Sequence, residues 1–295
     1  MPVSVQARPA ASRELPAIAA GVTTVVLWAS AFVGIRDAGA DLSAGPLALG
    51  RLAVASLVLG VIVLARRERL VPRADVAGLL VCGLLWFAVY NVALNEAERR
   101  VDAGTAAMLV NIGPVLIALL AGRLLGEGFP RTLLTGCGIA LAGVAIIGLA
   151  TSSEGITASW GTALGLVAAL TYAGGVIAQK PLLEHSSALA VTWLACCIGA
   201  LACLPFAPAL VSQAGDAEGS SIAWMVYLGV FPTALAFTTW AYALARSSAG
   251  RMGALTYFVP PLAILMGWAL LDEVPPALAL AGGALCITGA AIARR

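Results

Sequence analysis

The chain has 295 residues, 61% of them hydrophobic and 11% charged, with 32 glycines and a net charge of +2. A water-soluble domain of this length cannot bury so much apolar surface, and so small a charge implies no polyanionic partner. A soluble enzyme, a disordered chain and a nucleic-acid binder are thereby excluded, and the lipid bilayer must be part of the solvent.

A helix that crosses a bilayer needs about 20 mostly apolar residues. Ten such runs can be drawn, at 16–35, 46–65, 76–95, 103–125, 132–150, 161–179, 188–210, 222–245, 250–271 and 277–293. Open strands are excluded because their backbone cannot be satisfied in hydrocarbon, and no alternating pattern marks a barrel. The predicted fold class is an all-α polytopic membrane protein with ten transmembrane helices.

Residues 1–15 form a tail that contains Arg8 and Arg13. The first run is longer than the apolar part of a signal peptide and another span follows it, so it reads as a retained helix. It carries Trp28. In the second run Arg51 is the one basic residue clearly inside a span. It either snorkels to the headgroups, or holds a substrate carboxylate or braces an outer gate. On the third run Asn91 and Asn95 share one helical face, with Trp86 and Tyr90 on an adjoining face. An amide in hydrocarbon must find a partner, so these asparagines face protein or water. Glu96 and Glu98 lie near the outer end of that run, and Glu96 is the candidate for a titrating group.

The fourth run contains Asn111 and, three residues later, Pro114. The sixth contains Tyr172, and the eighth Thr238, Thr239, Trp240 and Tyr242. The ninth places Tyr257 three residues before Pro260, with Pro261 next to it. A proline inside a helix frees the carbonyl four residues back, here those of Val110, Thr256 and Tyr257. In a membrane such carbonyls persist where protein, water or ligand satisfies them, so these prolines mark bent or broken helices near a binding site. The six cysteines all sit in apolar stretches with no disulfide or metal-ligand spacing. Gly122-x-x-x-Gly126 and Gly161-x-x-x-Gly165 permit close helix packing, within the chain or between subunits, so a monomer and a homodimer are both compatible.

With the N-terminus in the cytoplasm, thirteen of the seventeen basic residues fall on the cytoplasmic side and three on the other, Arg51 being unassigned. The positive-inside rule therefore puts both termini in the cytoplasm. A shift of 146 residues superimposes the window 97–146 on 243–292 with 17 identities in 50 positions, among them Pro114 on Pro260 and Glu127 on Glu273. A shift of 144 places Trp28 on Tyr172 and Arg36 on Lys180. The chain reads as a duplicated five-helix unit, 16–150 and 151–295. Five being odd, the second unit enters the membrane in the opposite sense, which makes a 5+5 inverted-topology repeat of the kind secondary transporters use.

Within each half the same stretch recurs, as Ala103-Gly104, Pro114 and Leu124-Leu125-Gly126-Glu127, and again as Ala249-Gly250, Pro260 and Leu270-Leu271-Asp272-Glu273. With Trp28-Ala29-Ser30-Ala31-Phe32 and Arg51, it resembles the EamA-type branch of the drug/metabolite transporter superfamily, over nearly the whole chain. That resemblance implies a central cavity lined by the first, third and fourth helices of each half, with the fifth and tenth spans peripheral. Within the family the chain looks most like the YddG-like amino-acid exporters.

The candidate cavity-lining set is then Trp28, Trp86, Tyr90, Asn91, Asn95, Asn111, Tyr172, Thr238, Thr239, Tyr242 and Tyr257, with Pro114, Pro260, Pro261 and Arg51 as kink or gating residues. Aromatic walls with a few amides and hydroxyls suit a small zwitterion. No Asp or Glu occupies a clear mid-span position and the one His, His185, lies in a connection, so no metal, cofactor or catalytic dyad is expected. No P-loop signature for an ATP motor occurs either. The expected function is a secondary transporter of a small, mostly neutral metabolite, amino acids first, by alternating access at the cell inner membrane. Other small metabolites or drugs are the alternative within transport, and an intramembrane enzyme is the distant alternative from another class. The longest connection is expected near 211–221, too short for a receptor domain.

Overall fold

The computed structural model describes residues 11–100, 106, 109–151, 160–271 and 276–293, and among them the regular structure is all helical. In chain order the elements are α1 (Ala11–Ala38), α2 (Ala44–Arg66), α3 (Arg73–Glu98), α4 (Gly113–Leu124), α5 (Arg131–Thr151), α6 (Trp160–His185), α7 (Ala188–Ala202) and α8 (Ala207–Asp216). They continue with α9 (Gly219–Leu244), α10 (Ala249–Leu255), α11 (Val259–Leu271) and α12 (Ala277–Ala293). Seven stretches, namely α1, α2, α3, α5, α6, α9 and the α10–α11 pair, are long and apolar enough to cross a membrane, and the bent α7–α8 pair makes an eighth. α4 and α12 are apolar but shorter. Large apolar side chains such as Leu57, Val61 and Leu64 on α2, Leu170 on α6 and Leu278 on α12 stay exposed, which suits a hydrocarbon solvent rather than water.

Three departures from the sequence expectation have local causes. The seventh run does not continue straight to 210: it bends by 52° between α7 and α8, where Pro205 lacks the amide that would extend α7. The chain is helical again up to Asp216, so the long connection expected at 211–221 is mostly helix. The fourth run is broken rather than merely kinked. A turn at Asn111–Ile112 precedes α4, and Pro114 falls in the first turn of that helix, where a missing N–H costs nothing. The ninth run repeats this design: a 3-10 turn at Thr256–Phe258 separates α10 from α11, and Pro260 and Pro261 open α11. Lastly, Gly122 and Gly126 do not form a helix-packing stripe. Gly126 has φ +68° in the turn after α4, and a Cβ on Gly122 would run into Phe129 of that same turn.

Two features carry no sequence signature. α3 contains a π-helical segment at Gly83–Val89, and α9 contains another at Gly229–Leu235, a displacement of 146 residues, the same as the repeat. A π segment displaces carbonyls from the helical ladder. Here they are taken up by side chains: Asn91 Nδ2 donates to the Trp86 and Phe87 carbonyls, and Trp28 Nε1 donates to the Pro232 carbonyl at 3.2 Å. The second feature is the contact of α5 with α12. A Cβ on Gly136 would lie 2.5 Å from the Gly289 carbonyl, and one on Gly143 2.6 Å from the Gly282 carbonyl. Gly136 and Gly282 are equivalent under the 146-residue shift, as are Gly143 and Gly289, so the contact pairs each position with the counterpart of the other.

The bundle has two distinct ends. At one, Asp41 in the α1–α2 turn accepts hydrogen bonds from the Glu218 amide at 2.9 Å and Ser221 Oγ at 2.8 Å, which hold its carboxyl below the usual carboxylate range. Gln213 binds Ser43 there, and Arg99 donates to the Leu42 carbonyl. At the other end, Lys180 Nζ donates to the carbonyls of Leu244 and Ser247, both at 2.8 Å.

Candidate functional site

Between these ends lies a small cavity of about 60 Å3. α1 contributes Trp28, Phe32 and Ile35, α3 contributes Trp86, Tyr90 and Leu94, and the break before α4 contributes Val110 and Asn111. From the second half come Tyr172 on α6, Phe237 on α9, and Thr256 and Val259 at the α10–α11 break. The wall is largely a cluster of rings. Trp28 sits 6.1 Å from Trp86, 5.3 Å from Phe237 and 5.1 Å from Trp240, and Trp86 lies 5.4 Å from Tyr172. These separations are within the range of favourable aromatic pairs, so the wall is a packed surface rather than loose side chains. Arg51, 3% exposed, is the single charged residue lining this space among the described residues.

Toward the Asp41 end a second hollow, a vestibule, is lined by Arg36, Ala44, Asn95, Glu98 and Arg99. Ile35 borders both spaces. Toward the Lys180 end the bundle is tied shut. Gly126 turns the chain after α4 so that the Glu127 carboxylate accepts from the Ala249 and Gly250 amides, at 2.6 and 3.1 Å, while Lys180 closes on the carbonyls at the end of α9. Deeper down, Thr24 Oγ1 on α1 meets Thr239 Oγ1 on α9 at 2.8 Å, and both also bond the Ala236 carbonyl.

The structure thus brings together Trp28, Arg51, Trp86, Tyr90, Asn111 and Tyr172 of the residues singled out from sequence, and separates the others. Asn91 is turned onto the carbonyls of its own helix, and Asn95 faces the vestibule, where its Nδ2 donates to the Ala44 carbonyl. Thr238 bonds the Ala234 carbonyl within α9, and Thr239 belongs to the closed region described above. Tyr242 lies at the Lys180 end with the Arg246 guanidinium 3.5 Å over its ring. Tyr257 is fully buried among Leu133, Cys137 and Cys286, on the α5–α12 side of the break. Pro114, Pro260 and Pro261 are buried at the two helix breaks and do not face the cavity directly. Glu96 pairs with Arg100 at 2.6 Å on a partly exposed face, whereas Glu98 lines the vestibule with Oε1 buried.

Sequence reasoning missed Phe32, Leu94, Phe237, Thr256 and Val259. The 146-residue shift pairs Val110 with Thr256, and both line the cavity, so the repeat held a usable signal one position from the pair chosen. Thr233, which positions Arg51, had no signal beyond the neighbouring proline. Of the residues that recur in the two halves, Ala103, Gly104 and Glu273 lie outside the described residues, as do the tail before Ala11 and the final two arginines.

Comparison with known proteins gives a consistent picture. The profile of the EamA-like transporter family matches the chain twice, over residues 15–149 and 159–295. A probable terminal-alkyne amino-acid exporter of Streptantibioticus cattleyicolor is 38% identical over 281 residues, covering 95% of this chain and 93% of that protein. An uncharacterised transporter, YdfC, of Bacillus subtilis is 30% identical, covering 89% of this chain and 86% of that protein. A solved crystal structure superimposes with a TM-score of 0.76 at 21% identity, over 94% of this chain and 96% of that one, which shows a shared fold.

Proposed function

The chain belongs to the EamA-like transporter family, and we propose that it exports amino acids with apolar side chains by alternating access of the cavity between its two halves. It is a multi-pass membrane transporter and not an enzyme. The observation that carries the finer reading is the aromatic cavity itself, lined by helices 1, 3 and 4 of one repeat and their counterparts in the other, tied shut at the Lys180 end and bordered by a vestibule at the Asp41 end. A site between two related halves, closed on one side, is what an alternating-access carrier holds in one of its states. The name of the 38% identical relative supports an amino acid as cargo.

Ten spans in a 5+5 inverted arrangement belong to this reading, and the doubled family match and the reciprocal glycine pairs of α5 and α12 support them. A contact in which position i meets the counterpart of j, and j the counterpart of i, is the mark of a two-fold axis. With the basic residues inside, the Lys180 end faces the cytoplasm, both termini are cytoplasmic, and the membrane is the cell inner membrane. The structure then corresponds to an outward-facing state. Purified protein in liposomes tests the function directly, with a panel of labelled amino acids, with and without an imposed pH gradient. Saturable uptake and counterflow of apolar amino acids are expected. Protein that is folded and moves none of the panel removes the amino-acid assignment.

A further inference from the structure

Arg51 lies on α2, seven residues from the Ala44 start of that helix, which is about 10 Å at 1.5 Å per residue. Its Nε donates to Thr233 Oγ1 at 3.0 Å, and Thr233 donates its own proton to the Leu228 carbonyl at 2.7 Å. The hydroxyl is therefore a fixed acceptor, and the π segment of α9 holds it there. A guanidinium carries five N–H donors, and this bond uses one. Among the described residues Arg51 makes no other hydrogen bond and has no carboxylate at ion-pair distance. Of the charged groups nearby, Glu98 on α3 acts on Arg51 through space and is itself acted on by Arg36 from α1. A cation removed from water without an anion beside it is costly, so such a group is retained where an anion arrives from elsewhere.

The space that Arg51 lines is the aromatic cavity. Resting on the amino-acid reading above, we propose that Arg51 is the carboxylate anchor of this cavity: its remaining N–H edge takes the α-carboxylate of the cargo, while the rings of Trp28, Trp86, Tyr172 and Phe237 take an apolar side chain. The planar donor fork matches a carboxylate with two parallel hydrogen bonds, and a lysine would not reproduce that geometry. The cargo's ammonium meets the ring faces and the oxygens of Tyr90, Asn111 and Thr256, which line the same space. The site therefore selects apolar and aromatic amino acids, and repels those whose side chain is cationic.

Ligand chemistry and Arg51 variants test this together. Binding to purified full-length protein is read from intrinsic tryptophan fluorescence, with phenylalanine, 3-phenylpropionate (no ammonium), phenylalaninamide (carboxylate masked) and phenethylamine (no carboxylate) as probes. The wild type is expected to bind the two carboxylates at least about tenfold more tightly than the other two, the scale of one charge-assisted hydrogen bond. Arg51→Gln is expected to erase that preference, Arg51→Lys to keep part of it, and Thr233→Val to reduce it by releasing Nε. Equal binding of acid and amine by the wild type overturns the proposal, as does an unchanged preference in Arg51→Gln. Should the Arg51 variants fail to fold, the wild-type preference and Thr233→Val decide. Flux of amino acids without carboxylate preference leaves the transport reading standing and removes Arg51. Carboxylate-selective binding by a protein that moves no amino acid does the reverse.

Discussion

Asn111 and Tyr257 occupy equivalent positions in the two repeats, yet the structure gives them different surroundings. Asn111 lines the cavity, and Tyr257 is sealed in the core between the α10–α11 break and the α5–α12 pair. Asn111→Ala should therefore lower the rate of transport or raise KM while leaving the melting temperature close to wild type. Tyr257→Ala should instead cost about 3 kcal/mol of stability, the usual scale for emptying a buried aromatic site. The Tyr257 hydroxyl is buried with no hydrogen-bond partner among the described residues, so Tyr257→Phe is expected to be neutral or slightly stabilising. Thermal unfolding in detergent beside liposome flux separates these outcomes. A Tyr257→Phe variant that unfolds much earlier than wild type would mean that the hydroxyl has a partner. Asn91 and Asn95 make the same point in another way, since a polar residue in a span answers first to a nearby backbone carbonyl.

Among elements, α5 and α12 depend most on small residues. Backbone meets backbone where Gly136 faces Gly289 and Gly143 faces Gly282, and a Cβ on Gly289 would come 2.4 Å from the Ala140 amide nitrogen. No rotamer change relieves a clash with backbone, so Gly289→Ala must push the helices apart. It should cost about 1–3 kcal/mol, the range for overpacking. Gly138 on the facing helix α5 offers the control, because a Cβ there meets nothing within 4 Å. Gly138→Ala should be neutral or stabilising by up to about 1 kcal/mol, since alanine is the better helix former. Equal melting temperatures for both variants would show that the close approach contributes nothing. The paired π segments show how the repeat distributes irregularity: in each, carbonyls that leave the helical ladder are received by side chains, Asn91 in α3 and Trp28 and Thr233 in α9.

At the scale of the whole molecule, the ties at the Lys180 end should set the balance between conformations. Glu127 neutralises the start of α10 and Lys180 the end of α9, the two arms of one connection. Glu127→Gln and Lys180→Met should each favour the state open at that end. Ala31 lines the cavity, and Ala31→Cys can report access to a membrane-impermeant thiol reagent applied from either side of oriented vesicles. Labelling from the Lys180 side should rise roughly severalfold in each variant, as removal of a charge-assisted bond of about 1.5–3 kcal/mol allows, and fall from the other side. Labelling that does not change from either side would make these contacts ordinary helix caps.

The amino-acid sequence by itself determined the solvent, the all-helical class, the duplication and the family, because each depends on composition and on patterns that survive without knowledge of contacts. The aromatic residues Trp28, Trp86, Tyr90 and Tyr172 were legible for the same reason: large rings and polar groups are rare enough in spans to stand out. Which face of a helix looks at the cavity was decided only by tertiary structure. The π segments shift the helical register of α3 and α9, and the breaks before Pro114 and Pro260 interrupt it, so neither the face shared by Asn91 and Asn95 nor the repeat equivalence of Tyr257 and Asn111 fixes which way these side chains point. The partners of buried polar groups also come from elsewhere in the chain. Arg51 and Thr233 stand 182 residues apart, and no local pattern in either segment announces that one holds the other.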